Sequence, residues 1–326
     1  MLKTNITNCF GIEMKKLLTV YDWQEINEIR IRTDKPLILK SGAKEYFCDI
    51  NGRPSKNIEK SFRPKKKDIE EIVNMLSDYS LYAVQEQLKF GFITVKGGHR
   101  AAIAGRVITE NGNIMTVKNI SSISLRIASE RKGCADSIVK IAVDEKLNNT
   151  LIISPVCGGK TTMLRDLLRI LSNRGYTVGI SDERGEIAAC YMGVPQLDVG
   201  ERTDVLDCCP KDKGLSMLVR TMSPDIVAAD EIGTETDIKA LKEARLSGVT
   251  VICTAHGTCM DDVGKRLADT HIFDRYIFLE GNRCPGKIKE VFNSKGERMC
   301  YKNHRGNHRI FFMHGSRTFY GGKGQV

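Results

Sequence analysis

Three groups of residues have types and spacings that could do chemistry together. The first is the run Ser154-Pro155-Val156-Cys157-Gly158-Gly159-Lys160-Thr161-Thr162, which joins small residues to a lysine and two hydroxyls. It suits phosphate: backbone N–H groups at a helix start face the anion, and the helix dipole favours its charge. Lys160 would reach the β- and γ-phosphates of ATP, and Thr161 would place its hydroxyl on Mg²⁺. The second is Asp230-Glu231. Asp230 suits the metal shell built on Thr161, and Glu231 suits a general base that activates water. The third is a scatter of polar residues that would share the same crevice. His256 either senses the γ-phosphate and attacking water or is a satisfied structural histidine. Glu183 either orients water or metal or forms a surface ion pair with Arg184.

The phosphate loop departs from G-x-x-x-x-G-K-[ST] at its first position, which is Ser154. Pro155 pushes the residue before it into extended backbone, which serine reaches without strain, so glycine is not obligatory there. Cys157 lies inside the loop near a helix N-terminus. Its thiol is expected to be alkylated readily, and to be shielded from alkylation by ATP.

The elements that must position these groups are legible around them. Leu151-Ile152-Ile153 is an apolar run before the loop, and Met163, Leu164, Leu167, Leu168 and Leu171 form one face of a helix after it. Asn173-Arg174-Gly175 ends that helix. Strands recur at 177–181, 226–229 and 249–254, each followed by polar residues at its carboxyl end, where open α/β sheets hold ligands. Strands alternating with helices predict a parallel sheet. Upstream, Glu28–Arg32 alternates charged with apolar residues like a half-buried strand, and Ile123, Leu125 and Ile127 do the same. Asp68 with Glu71 reads as a capping box before Ile69, Ile72, Val73 and Leu76 at helical spacing. Gly97-Gly98-His99-Arg100 reads as a turn. The expected fold class is α/β: a RecA-like P-loop ATPase domain with a parallel sheet, preceded by a smaller α+β domain. The polar stretch Ser129–Gly133 divides them, giving 1–130, 131–301 and a basic, glycine-rich tail at 302–326 that is expected to be loosely ordered.

The 326 residues suffice for two domains, and 41% hydrophobic with 28% charged residues is an ordinary soluble composition. No run approaches the roughly 20 apolar residues of a membrane span, and the N-terminus has no signal-peptide h-region. Eleven cysteines without paired CxxC spacing fit a reduced, cytosolic chain and give a structural zinc site little support. The net charge of +10 favours an anionic partner, with nucleotide, nucleic acid and membrane surface all qualifying.

Longer strings then resemble a known family. Leu218-Val219-Arg220-Thr221-Met222-Ser223-Pro224-Asp225 with Asp230-Glu231-Ile232-Gly233 is similar to the core of the stage III sporulation protein AA family. So are Asp182-Glu183-Arg184-Gly185-Glu186-Ile187-Ala188 and Val199–Leu206, and the likeness spans about residues 25–290. The family pattern carries serine where Gly185 stands. The resemblance implies a cytosolic motor ATPase related to those of type II and type IV secretion. It implies a homo-oligomer, a hexameric ring with nucleotide between subunits, and a histidine box at His256. Arg220 falls in the segment that resembles the arginine box. Arg184, Arg202, Arg100, Arg106 and Arg126 are further candidates for a charge-neutralising finger. It also implies a mother-cell ATPase on the cytoplasmic face of a membrane channel complex in a spore-forming bacterium. Two other functions remain open. A nucleic-acid-stimulated ATPase has charge in its favour, but 6% aromatics and no recognisable nucleic-acid motif against it. A nucleotide-dependent scaffold with little turnover is compatible with Ser154.

Overall fold

The computed structural model describes residues 6–23, 25–42, 44–267, 272–281 and 284–299. The basic tail expected at 302–326 lies outside the described residues.

The first seven strands form one antiparallel sheet in the order β4-β3-β2-β1-β7-β6-β5. They are β1 (Glu28–Arg32), β2 (Ile38–Ser41), β3 (Lys44–Cys48), β4 (Pro54–Ser55), β5 (Phe92–Val95), β6 (His99–Glu110) and β7 (Asn113–Arg126). The alternation read in Glu28–Arg32 is real: Ile29 and Ile31 are buried while their neighbours are half-exposed. Ile123 and Leu125 of β7 lie opposite Ile31 and Ile29 across the ladder, so one face is apolar. Helices α1 (Ile12–Leu18), α2 (Lys66–Leu76) and α3 (Gln85–Lys89) belong to this part of the chain. Met14, Leu18, Ile69, Ile72, Leu76 and Leu88 fill the core beneath that face. The cap of α2 differs from expectation. The helix begins one turn earlier, and the Asp68 carboxylate accepts the Lys65 N–H at 2.6 Å, so Asp68 is the third helical residue rather than the cap.

The second sheet has the order β10-β9-β11-β12-β8-β13-β14. Its strands are β8 (Thr150–Ser154), β9 (Val178–Asp182), β10 (Thr203–Asp207), β11 (Ile226–Ala229), β12 (Thr250–His256), β13 (Arg275–Leu279) and β14 (Ile288–Asn293). All neighbours are parallel except β13 and β14, which form an antiparallel edge hairpin. α4 (Asp136–Ala142) precedes β8, and between the strands run α5 (Lys160–Asn173), α6 (Lys211–Met222), α7 (Glu235–Leu246) and α8 (Met260–Leu267). β8 and β11, inside the sheet and buried along their whole length, read as nearly continuous apolar runs, whereas the edge strands β10 and β14 are only partly buried. Ile152, Ile180, Ala228 and Ile252 pack with Leu164, Leu167 and Leu168 of α5 on one side. Leu151, Ile153, Val227 and Val251 pack with Leu215, Leu218 and Leu241 of α6 and α7 on the other.

The two sheets touch through polar contacts. Gly97 donates its N–H to the Gln196 side chain at 2.8 Å, and Arg100 pairs with Glu186 at 2.8 Å while stacking over Phe92. Gly98 has φ +77, and a Cβ there would lie 3.2 Å from Ala189 and 3.3 Å from Gln196. Glycine therefore permits both the backbone turn and this close approach.

Candidate functional site at the carboxyl edge of the parallel sheet

Parallel strands deliver their carboxyl ends to one edge. β8 ends in Ser154, β9 in Asp182 and β12 in His256, and Asp230 follows β11. The strand order puts β11, β12 and β8 side by side, and Ser154 is paired with His256. Residues far downstream of the 154–159 loop in sequence thus converge on it in space: Asp230 and Glu231 after β11, His256 at the end of β12.

The loop from Ser154 to Gly159 turns directly into α5. Ser154 is fully buried, and no positive φ is needed at this position, as its neighbour Pro155 leads one to expect. Its hydroxyl fills the space beside Gly158, where a Cβ would come within 2.5 Å of Ser154 Oγ. Gly159 has φ +87, and the Gly286 N–H of the β13–β14 turn donates to the Gly158 carbonyl at 2.9 Å. Cys157 is exposed and has φ 61, a conformation that costs a non-glycine residue about 1–2 kcal/mol. Val156 is exposed as well, and Thr162 stands half-buried in the first turn of α5.

At the start of that helix the reactive groups form one connected network. The Lys160 ammonium, almost fully buried, donates to Glu231 Oε1 at 2.8 Å and lies 3.4 Å from His256 Nε2. His256 Nε2 is 2.9 Å from the same carboxylate oxygen, and Arg184 donates to the other at 3.2 Å. The Thr161 hydroxyl donates to Asp230 Oδ2 at 2.5 Å, and the Thr254 hydroxyl donates to Asp230 Oδ1. Thr254 also accepts the Glu231 N–H at 2.8 Å. Glu231 itself has φ 54, the left-handed region that glycine and asparagine prefer. Strained backbone of this kind clusters at sites where geometry is over-determined by its surroundings.

Burial pushes the Asp230 carboxyl up, against the lowering effect of the Thr161 and Thr254 hydroxyls and the Lys160 charge. Glu231 goes the other way. Burial raises it, but the hydrogen bonds and charges of Lys160 and His256 outweigh burial and hold it below its usual range. Asp182, also raised by burial, accepts the N–H groups of Glu186, Ile187 and Ala188 and so shapes the loop after β9. Arg165 of α5 clamps the same loop from the carbonyl side, through Ile187 O at 2.5 Å and Glu186 O at 2.6 Å.

The ion pair that Glu183 was expected to form with Arg184 is replaced by others. Glu183 pairs with Lys211 at 3.2 Å, whereas Arg184 pairs with Glu231. Gly185, where the family pattern carries serine, has φ +62, which glycine adopts without strain. Arg220 is exposed in the last turn of α6 and takes no part in this network. Arg202, Arg106 and Arg126 are exposed too, and Arg100 is engaged with Glu186. Thr254, Lys211 and Arg165 were not singled out from sequence. Only the Thr254 position, two residues before His256 on an apolar strand, carried any signal, because alternation points residues 254 and 256 to the same face.

The residues suit a phosphate with a hard cation. The donors near Thr161 are oxygens alone, a hydroxyl and a carboxylate, which is the chemistry Mg²⁺ takes. Gly158 and Gly159 let the loop close tightly, since a Cβ would lie 2.5 Å from Ser154 Oγ at the first and 3.0 Å from the Gly286 nitrogen at the second.

The family model for "Sporulation stage III, protein AA" matches residues 2–299 of the chain. The chain belongs to that family. The Stage III sporulation protein AA of Bacillus subtilis (strain 168) is 40% identical over 285 residues, 84% of this chain and 89% of its own. Among solved structures, the ATPase DotB of Yersinia pseudotuberculosis superposes on this family member with a TM-score of 0.55 at 14% identity, covering 88% of this chain and 81% of that one. The pilus retraction motor PilT, solved with bound ADP, gives 0.52 at 14% identity, covering 78% and 74%. At such identities the likeness is one of fold: this sporulation protein has the α/β architecture with a parallel sheet seen in secretion and motor ATPases. Among its described residues no helix is long and apolar enough to cross a membrane.

Proposed function

We propose that the protein binds ATP with Mg²⁺ at this edge and hydrolyses the γ-phosphate as the motor of a sporulation membrane assembly. The observation that carries the reading is the single hydrogen-bonded network of Lys160, Thr161, Asp230, Glu231 and His256 at the end of the parallel sheet. In this reading the loop 154–162 wraps the phosphates with backbone N–H groups, and Lys160 neutralises the β- and γ-oxygens. Thr161 and Asp230 hold the magnesium. When bound, the metal supplies Lewis-acid stabilisation of the charge on the transferring phosphoryl group. Glu231 takes the proton of the attacking water, His256 bonds the γ-phosphate or that water, and Glu183 helps orient it. Arg220, exposed and outside the network, acts across a subunit interface on a neighbour's nucleotide.

The family membership supports the sporulation setting, and the fold supports a motor. The remainder of the proposal is a ring, hexameric by analogy of fold, that docks at the cytoplasmic face of a membrane complex in the mother cell. Within each subunit, residues 1–130 form the smaller domain and 131–301 the ATPase domain.

Mg²⁺-dependent phosphate release measured across protein concentration tests the reading. We expect turnover to rise more than linearly with concentration. Lys160→Ala should remove nucleotide binding, and Glu231→Gln should retain it while slowing turnover by about 10²–10⁴-fold. Turnover unaffected by either substitution would sink the assignment.

A further inference from the structure

Lys211 is oddly situated for a lysine. It is the first residue of α6, at the positive end of the helix dipole, where a cation is disfavoured. Its side chain is nevertheless only 14% exposed. Such burial needs compensating partners, and two are present. The ammonium donates to the Glu231 backbone carbonyl at 3.0 Å and pairs with the Glu183 carboxylate at 3.2 Å.

The carbonyl belongs to the peptide that follows the left-handed Glu231. The other end of that peptide, the Ile232 N–H, donates to the Thr254 carbonyl at 2.9 Å. The preceding peptide is pinned through the Glu231 N–H on the Thr254 hydroxyl. Lys160, His256 and Arg184 hold the carboxylate, but they grip a side chain that can follow its backbone. Lys211 holds the backbone. It also ties the end of β9, through Glu183, to the end of β11.

We propose that Lys211 is a positioning residue for hydrolysis: it fastens the strained Glu231 peptide and sets the Glu183 carboxylate beside it, without touching nucleotide. The inference rests on the ATP-hydrolysis reading for its kinetic consequence, though not for the backbone restraint itself.

Three measurements on the full chain test it. Lys211→Met should lower kcat by about 10²-fold, the cost of displacing a reacting group by about 1 Å. Affinity for a fluorescent ATP analogue should stay within about threefold, because the lysine contributes no binding shared by ground and transition states. Lys211→Arg, which can still donate to both acceptors, should recover most of the loss. Amide exchange at Ile232 should quicken by about tenfold or more in Lys211→Met, as its peptide loses one of two anchors. Lys211→Gln serves in its place if the methionine variant does not fold. A kcat within about twofold of wild type, a fall in affinity that matches the fall in kcat, or an arginine variant no better than methionine would each overturn the role. Should the wild-type protein bind nucleotide but release no phosphate, the hydrolysis reading fails separately. Exchange at Ile232 then decides alone, and an unchanged rate in the variant refutes the restraint.

Discussion

The two sheets differ in what strand direction does to their polar residues. In the antiparallel sheet, successive strands end at opposite edges, so charged residues such as Glu28, Arg30 and Lys40 spread along ladders and pair locally. In the parallel sheet every strand from β8 to β13 ends at the same edge. Ser154, Asp182, Asp230 and His256 are therefore gathered by topology before any side chain is oriented. The strain is distributed likewise. In the first region Asp34, Asp78, Asn111 and Asn119 are types that tolerate the left-handed conformation and only Tyr79 among the described residues there is not, whereas in the second region none is Asp or Asn, and two of them, Cys157 and Glu231, lie beside Lys160. Direction of strands, rather than composition, separates a scaffold from a place where charges can cooperate.

Three substitutions or probes could break that contrast. The largest effect belongs to Thr254→Val, isosteric but without the hydroxyl that serves both Asp230 and the Glu231 N–H. It should lower stability by about 1–3 kcal/mol, the cost of leaving buried partners unmet, and slow phosphate release severely. Denaturant unfolding with parallel turnover assays checks this. A loss of stability with full activity would mean the edge is not organised around those two carboxylates.

The antiparallel side should respond to pH instead. His99 is fully buried, accepts the Ala128 N–H at Nδ1 at 3.0 Å, and is pushed down to about 4 by burial. The folded state therefore binds fewer protons than the unfolded chain between about pH 6.5 and 4. Its stabilising effect is complete above that window and is lost as pH falls through it, on the order of 3 kcal/mol. His99→Gln should flatten this part of the stability profile while leaving nucleotide affinity at neutral pH unchanged. A profile identical to wild type would contradict the burial argument, and a loss of affinity would join the two regions more tightly than their polar contacts imply.

The smallest effect is a protection. Cys157, Cys259 and Cys284 are the exposed thiols among the described residues, and Cys157 alone sits in the phosphate loop. Mg²⁺-ATP should slow its alkylation by about tenfold or more while leaving Cys259 much less affected, as peptide mapping after timed labelling would show. Equal rates with and without nucleotide would separate the loop from the ligand.

Sequence carried local structure well here. The helix after Thr161, its end at Gly175, and the strand at 226–229 follow from periodicity and turn chemistry that act within a dozen residues. The α2 cap came out in the wrong register because Asp68 and Glu71 offer similar spacing, and only the observed Lys65 N–H bond distinguishes them. The grouping of Lys160 with Asp230, Glu231 and His256 was legible because each stood just past an apolar run. Lys211 and Arg165 were not. Their partners are backbone carbonyls on other segments, and a carbonyl leaves no trace in residue identity. The Glu183–Lys211 pairing was hidden for a related reason: Arg184 is the neighbour in sequence, but β9 and α6 bring Lys211 closer.

The left-handed backbone at Glu231 has an evolutionary consequence. Glycine or asparagine would sit there with about 1 kcal/mol less backbone strain, but would leave the buried Lys160 without its carboxylate. A change at position 231 that melts later is thus expected only alongside a second change that relieves Lys160, and such a pair should turn over less. A glutamate retained at that position would mark a lineage still selected for what the carboxylate does.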